Sequence, residues 1–263
     1  MRIRIYSIAA ILLAASSVLS SCDEKDWDQR YEEMTEITPH RNVLLEEFTG
    51  QMCPNCPKAH QAVVGFKQQY GEHLIAVSIH AGQFAVENQD YPQLALLRPE
   101  GNVYANKWNI SAYPSGVINR RQGPLSVDAW VNPLRAELLR TTPLQIAAKA
   151  QYDEASGKVQ ITVDMKSDDD ITGKLQVWVT ESNIVAMQQD GTELLTEYTH
   201  NHVFQGSVNG TWGEDVQLVS SEPLQKQYEI TKQDYWKKAD LAIVAFVYNE
   251  RDGVIQVTEC PVN

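Results

Sequence analysis

The chain has 263 residues, 43% hydrophobic and 21% charged, with a mean hydropathy of −0.35. This is globular composition with room for two cores, and it excludes a polytopic membrane protein. With 22 basic against 34 acidic residues the net charge is −12, a balance that repels phosphate backbones, so nucleic acid is not an expected partner.

Arg2 and Arg4 precede an apolar run over residues 8–19 that is too short for a stable bilayer span. It reads as a secretory signal, and Leu19-Ser20-Ser21-Cys22 resembles a bacterial lipobox. That resemblance implies a signal peptide over residues 1–21, lipidation of Cys22, and a membrane partner reached through the lipid. Residues 22–40 read as a polar tether beginning Asp23-Glu24-Lys25-Asp26. An acidic start of this kind resembles surface-export tethers, and it leaves both the periplasmic and the cell-surface face open. Either compartment permits disulfides.

Residues 42–48 then supply an apolar strand that stops at Thr49-Gly50, residues 54–70 have helical spacing closed by Gly71, and residues 74–79 form a second short strand. Strand, helix and strand within about forty residues are the pattern of a parallel crossover unit. Residues 82–99 read as a less regular insertion. A helix over 101–109, a strand over 115–119, a turn at Gly123-Pro124 and a helix over 126–140 complete an α/β domain spanning 41–142. Beyond Pro143 the apolar residues alternate: Val159, Ile161, Val163 and Met165, then Leu175, Val177 and Val179, then Ile243, Ala245 and Val247, then Val254, Ile255 and Val257 with one slip. Residues 143–263 therefore read as a β-sandwich of about seven strands, which makes the whole chain α/β plus all-β.

Cys53-Pro54-Asn55-Cys56 falls where a strand ends and a helix begins. The unpaired N–H groups of a first helical turn and the helix dipole stabilise a thiolate there, which suits Cys53 as attacking sulfur and Cys56 as resolver, with Pro54 at the first helical position. Three alternatives stay open. His60 completes C-x2-C-x3-H and with His80 could supply a zinc site, the pair could be a purely structural Cys53–Cys56 disulfide, or the fold could be redox-derived and inactive.

Glu47, six residues before Cys53, resembles the buried acidic residue of the thioredoxin family, and Trp108-Asn109-Ile110-Ser111-Ala112-Tyr113-Pro114 resembles the approach to that family's cis-proline. The resemblance implies a proton-accepting role for Glu47 and a substrate cradle at Tyr113 and Pro114. Because alternation puts Glu46 and Glu47 on opposite faces of a strand, only one of them is expected to point inward. Met52 stands where the family usually has tryptophan.

The leader, the Cys-Pro-Asn-Cys-Pro run, residues 113–120 and Tyr198-Thr199-His200-Asn201-His202-Val203 resemble a Bacteroidetes lipoprotein family named after a twenty-eight-kilodalton outer-membrane protein. That likeness implies a thioredoxin-like domain followed by an immunoglobulin-like β-sandwich, held at the outer membrane. The leading expectation is thiol-disulfide exchange on extracytoplasmic protein or peptide thiols, without metal or organic cofactor. The alternative is a non-enzymatic binding or adhesion lipoprotein in which the disulfide is a staple, favoured if the cysteines are buried or covered by the 82–99 insertion. Cys260 reads as a buried inert thiol, His200 and His202 as two same-facing imidazoles on one strand without a third ligand, and Asp168-Asp169-Asp170 as a solvated turn.

Overall fold

A computed structural model describes residues 37–88, 90–91 and 93–263. The expected signal peptide, the expected lipidation site Cys22 and the expected tether up to residue 36 lie outside the described residues. Strand β1 (Val43–Thr49) runs into helix α1 (Cys56–Tyr70), and β2 (Leu74–His80) returns parallel to β1. Gly71, at φ +57°, closes α1 with its N–H on the Lys67 carbonyl, a backbone angle that suits glycine best. The helix starts two residues later than expected, so Pro57 rather than Pro54 occupies its first turn. Helix α2 (Pro99–Lys107) and β3 (Ser115–Ile118) follow, β3 antiparallel to β1. The helix expected over 126–140 is a 3-10 turn (Val127–Ala129) and then α3 (Val131–Leu138), with Pro133 in its first turn, where no internal hydrogen bond is lost.

Ten strands rather than about seven follow: β4 (Leu144–Asp153), β5 (Lys158–Ser167), β6 (Ile171–Glu181), β7 (Ile184–Asp190), β8 (Glu193–His200), β9 (Val203–Ser207), β10 (Glu214–Leu218), β11 (Pro223–Thr231), β12 (Leu241–Asn249) and β13 (Gly253–Pro261). The additional strands are short or polar, and alternation alone does not reveal them. The slip in the apolar pattern of the last strand is real: β13 bulges opposite Val247 and Tyr248, which flips the side-chain register by one.

The fold is mixed α/β and dominated by strands. One sheet runs β13-β12-β6-β9-β2-β1-β3, with β10 also on β6, so it crosses the 142/143 boundary and joins strands from both halves of the chain. The join is a single parallel pair, Ser78 with Val203. A second sheet, β11-β5-β4, shares an apolar core with the large one through Val159, Ile161, Val163, Val177, Ile243 and Ala245. A further core on the first-half strands gathers Leu44, Phe48, Val77 and Tyr104 with Trp178, Phe204 and Phe246.

This double cover explains a departure from the alternation argument. Both Glu46 and Glu47 are buried, because β1 has protein on each face. Glu46 is held by a two-pronged pair with Arg120, at 2.9 and 3.0 Å, and the guanidinium carbon of Arg120 lies 4.5 Å from the Tyr248 ring centroid and 4.9 Å from that of Phe246. Glu47 faces α1.

Candidate functional site

Cys53 and Cys56 are joined in a disulfide across the turn into α1, with their Cα atoms 5.4 Å apart. The sulfur-bearing residues point inward at 1% and 0% exposure, while Met52 and Asn55 of the same turn face solvent. Two segments cover the pair. Phe84, within the 82–99 insertion, accepts the Met52 N–H at 2.9 Å and lays its ring against Tyr113, whose peptide to Pro114 is cis. Residues 82–84 therefore lie between the cysteine turn and the Tyr113-Pro114 corner.

The second cover is the β7–β8 hairpin, a two-stranded sheet of its own. Its backbone docks on the cysteine turn through Gln189 N–H to the Gln51 carbonyl (2.7 Å) and Gly191 N–H to the Pro54 carbonyl (2.9 Å). Two buried amides complete the clasp. Gln51 donates to the Leu94 and Met187 carbonyls (2.9 and 3.3 Å) and accepts from Leu96 N–H (3.0 Å), and Gln188 donates to the Cys53 carbonyl (3.1 Å). Sequence reasoning missed Gln51, Gln188 and Gln189, because an amide that clasps distant backbone carries no local signature.

Beneath the disulfide, the parallel register sets Glu47 beside Ser78 and Thr49 beside His80, and the two-residue period puts all four on one face. Ser78 donates to Glu47 Oε2 at 2.9 Å. His60, one turn beyond Cys56 on α1, brings Nε2 to 3.4 Å from Glu47 Oε1 and 3.2 Å from the Thr49 hydroxyl, with Nδ1 2.8 Å from the Tyr198 hydroxyl of β8. His200, at the end of β8, stacks its ring edge at 5.5 Å from His80 and 6.1 Å from His60. Together with Tyr198 these groups line a cavity of about 240 Å³. Larger hollows of about 610 and 780 Å³ lie by Asp252 and by Trp212, away from the cysteines and these histidines.

Burial governs the charges here. It raises Glu47 to about 7 against the hydrogen bond from Ser78, lowers His60 and His200 to about 4, and holds His80 well below its ordinary value, with His200 and His60 adding to the effect. At neutral pH all three imidazoles are uncharged, so the His60–Glu47 contact is not an ion pair. His200 and His202 do not share one strand face. The strand ends at His200, and His202 sits in the turn beyond it at φ +55°. Cys260 is half-buried on β13, and Asp168, Asp169 and Asp170 are exposed in a turn. Among the described residues no three His, Cys, Asp or Glu groups already stand at metal-holding distances, and no helix is long and apolar enough to cross a membrane.

Solved structures share this fold, among them two that superpose over most of this chain. HBP35 of Porphyromonas gingivalis superposes with a TM-score of 0.65 at 17% identity, covering 86% of this chain and 76% of that one. A protein of Agrobacterium tumefaciens, AGR_C_4864, superposes at 0.54 and 14% identity, covering 86% and 97%. No curated protein matches. The model of the family described as outer membrane protein Omp28 matches residues 101–263, a span that includes Tyr198 and His200 and begins after the cysteine pair. With more than half its length inside that match, the chain belongs to the Omp28 family of outer membrane proteins.

Proposed function

We propose that this outer membrane protein works by binding rather than by turnover. In this reading a lipid on Cys22 anchors it, residues 41–142 are a thioredoxin-like domain, residues 143–263 are an immunoglobulin-like β-domain, and the Cys53–Cys56 disulfide is a staple. The observation that carries it is the burial of both cysteines, at 1% and 0% exposure, under residues 82–84 and the β7–β8 hairpin. Thiol-disulfide exchange requires an incoming thiolate to reach a sulfur, and the closed cover leaves no such approach.

A second reading, exchange on extracytoplasmic protein or peptide thiols, is favoured by one feature. Cys53-Pro54-Asn55-Cys56 leads directly into α1, where a Cys53 thiolate would be stabilised by the first-turn N–H groups. The roles of Glu47 as proton acceptor and of Tyr113 and Pro114 as cradle stand or fall with that reading.

The deciding measurement is the reduction potential of the Cys53–Cys56 couple in the soluble chain beginning after Cys22, beside a dithiol-exchange assay and a Cys53→Ser control. A staple gives a potential below about −300 mV and no exchange. A potential between about −120 and −270 mV, with turnover lost in the control, establishes the exchange reading instead.

A further inference from the structure

Nine buried side-chain polar atoms lack a hydrogen-bond partner among the described residues, and four of them sit together: Glu47 Oε1, both ring nitrogens of His80, and His200 Nδ1. Buried polar groups are nearly always satisfied, so four unpartnered atoms around one cavity call for a common explanation. Their residues are built in a particular way. Ser78 holds Glu47 Oε2 and leaves Oε1 free, Tyr198 holds His60 Nδ1 and leaves Nε2 turned to Glu47, and the Met187 carbonyl stands 3.3 Å from His200 Nε2 and leaves Nδ1 free. An imidazole or carboxylate tied on one atom by an outer oxygen, with the other atom presented inward, is the arrangement of a metal ligand and its supporting shell.

We propose that Glu47, His60, His80 and His200 form a binding site for a divalent transition-metal ion of the zinc class. Tetrahedral bonds of about 2.0–2.1 Å put neighbouring ligand atoms roughly 3.3 Å apart and the centroids of two imidazoles roughly 5 Å apart. Glu47 Oε1 and His60 Nε2 stand at 3.4 Å, already a coordination edge. The ring centroids at 5.5 and 6.1 Å are somewhat wide, so binding draws His80 and His200 inward and takes Nε2 of His60 from the Thr49 hydroxyl. Neither nitrogen of His80 is held by a hydrogen bond that such a shift would break. Three nitrogens and one carboxylate oxygen select zinc, cobalt, nickel or copper over calcium and magnesium, which take oxygen ligands. The oxidised cysteines contribute nothing to the set, so the site is independent of whether the disulfide exchanges.

The test uses the oxidised soluble chain beginning after Cys22, stripped with chelator, titrated with Zn²⁺ by calorimetry and with Co²⁺ by visible absorption. We expect one ion per chain, a Zn²⁺ Kd below 1 μM on the order of other built sites, and the intense absorption of four-coordinate cobalt. His80→Asn and His200→Asn should each weaken binding at least about 100-fold, Tyr198→Phe and Ser78→Ala about 10- to 100-fold, and His202→Asn not at all. If the histidine variants fail to fold, Tyr198→Phe, which removes one half-exposed hydroxyl, decides the matter alone. No uptake at about 100 μM Zn²⁺, roughly a hundredfold above the expected Kd, or affinity unchanged in Tyr198→Phe and Ser78→Ala, overturns the proposal.

Discussion

Replacing Gln51 by alanine tests whether the cover it clasps, the hairpin together with residues 94–96, is what seals the disulfide. The side chain makes three hydrogen bonds to the backbone of two different segments: it donates to the Leu94 and Met187 carbonyls and accepts from Leu96 N–H. Truncation leaves those groups buried without partners, a penalty of about 1–3 kcal/mol against the closed form. When the cover opens, water satisfies them, so the penalty falls on closure. At 1.4 kcal/mol per factor of ten, the open population rises about 5- to 150-fold. The assay is reduction of the oxidised protein by excess dithiothreitol, quenched with an alkylating reagent and read by mass. If opening is a rapid pre-equilibrium, the rate follows the open population and rises by the same factor. Urea unfolding of the same variant separates local from global opening, because a rate that tracks only global stability would mean that the whole fold must unravel first. The reasoning fails if the wild-type disulfide is reduced as fast as one in an unstructured peptide. It also fails if Gln51→Ala loses stability while its reduction rate stays the same.

Other expectations follow from the same geometry. Arg120→Met strands the Glu46 carboxylate in a site with 0% exposure and should cost about 3–5 kcal/mol in urea unfolding, whereas Arg120→Met with Glu46→Leu should recover most of that loss; equal losses in the single and double variants would contradict it. Gly213, at φ +69°, has the Leu175 carbonyl where a Cβ would lie, while Gly191, at φ +52°, has open space, so Gly213→Ala should destabilise clearly more than Gly191→Ala in the same assay. Gly65 lies inside α1 with nothing near its missing Cβ, and Gly65→Ala should stabilise by about 0.8–1 kcal/mol. Burial, with Glu259 adding to it, pushes the Cys260 thiol from 9.0 up to about 11. Its alkylation at pH 8 should therefore run roughly 100-fold slower than that of free cysteine and climb about tenfold per pH unit until near pH 11, and a fast reaction at pH 8 would refute the burial argument.

What the sequence disclosed depended on whether burial is written into local pattern. β1, α1 and β2 are legible because apolar runs, Gly71 and the cysteine turn punctuate them, and β5, β6 and β12 are legible because every second residue is apolar. The β7–β8 hairpin is not, since its apolar face is only Ile184 and Ala186, packed with Leu96 and Val203, and Gln188 and backbone bonds to the cysteine turn hold the rest. The burial of Glu46 could not be read either, because its partner Arg120 lies 74 residues away. Nor could the single sheet, which hangs on one pair between β2 and β9.

The candidate site shows the same divide. Glu47, His60 and His80 were visible as isolated residues of the first half, and Tyr198 and His200 as part of a short segment in the second, yet spacing gave no reason to join them. Each set is incomplete alone. Glu47 and His60 approach each other within the α/β part, but the hydroxyl that orients His60 and the ring between His60 and His80 arrive on β8. The chain leaving β8 then docks on β2 where Ser78 N–H meets the His202 carbonyl at 2.8 Å. The hairpin that closes the disulfide therefore also completes the histidine cluster, and a change that frees it should expose the sulfurs and disperse the imidazoles together. Measured in Gln51→Ala, faster reduction with weaker Zn²⁺ binding would tie the two events to one element. Faster reduction with unchanged Zn²⁺ affinity would show that His200 is held independently of the clasp.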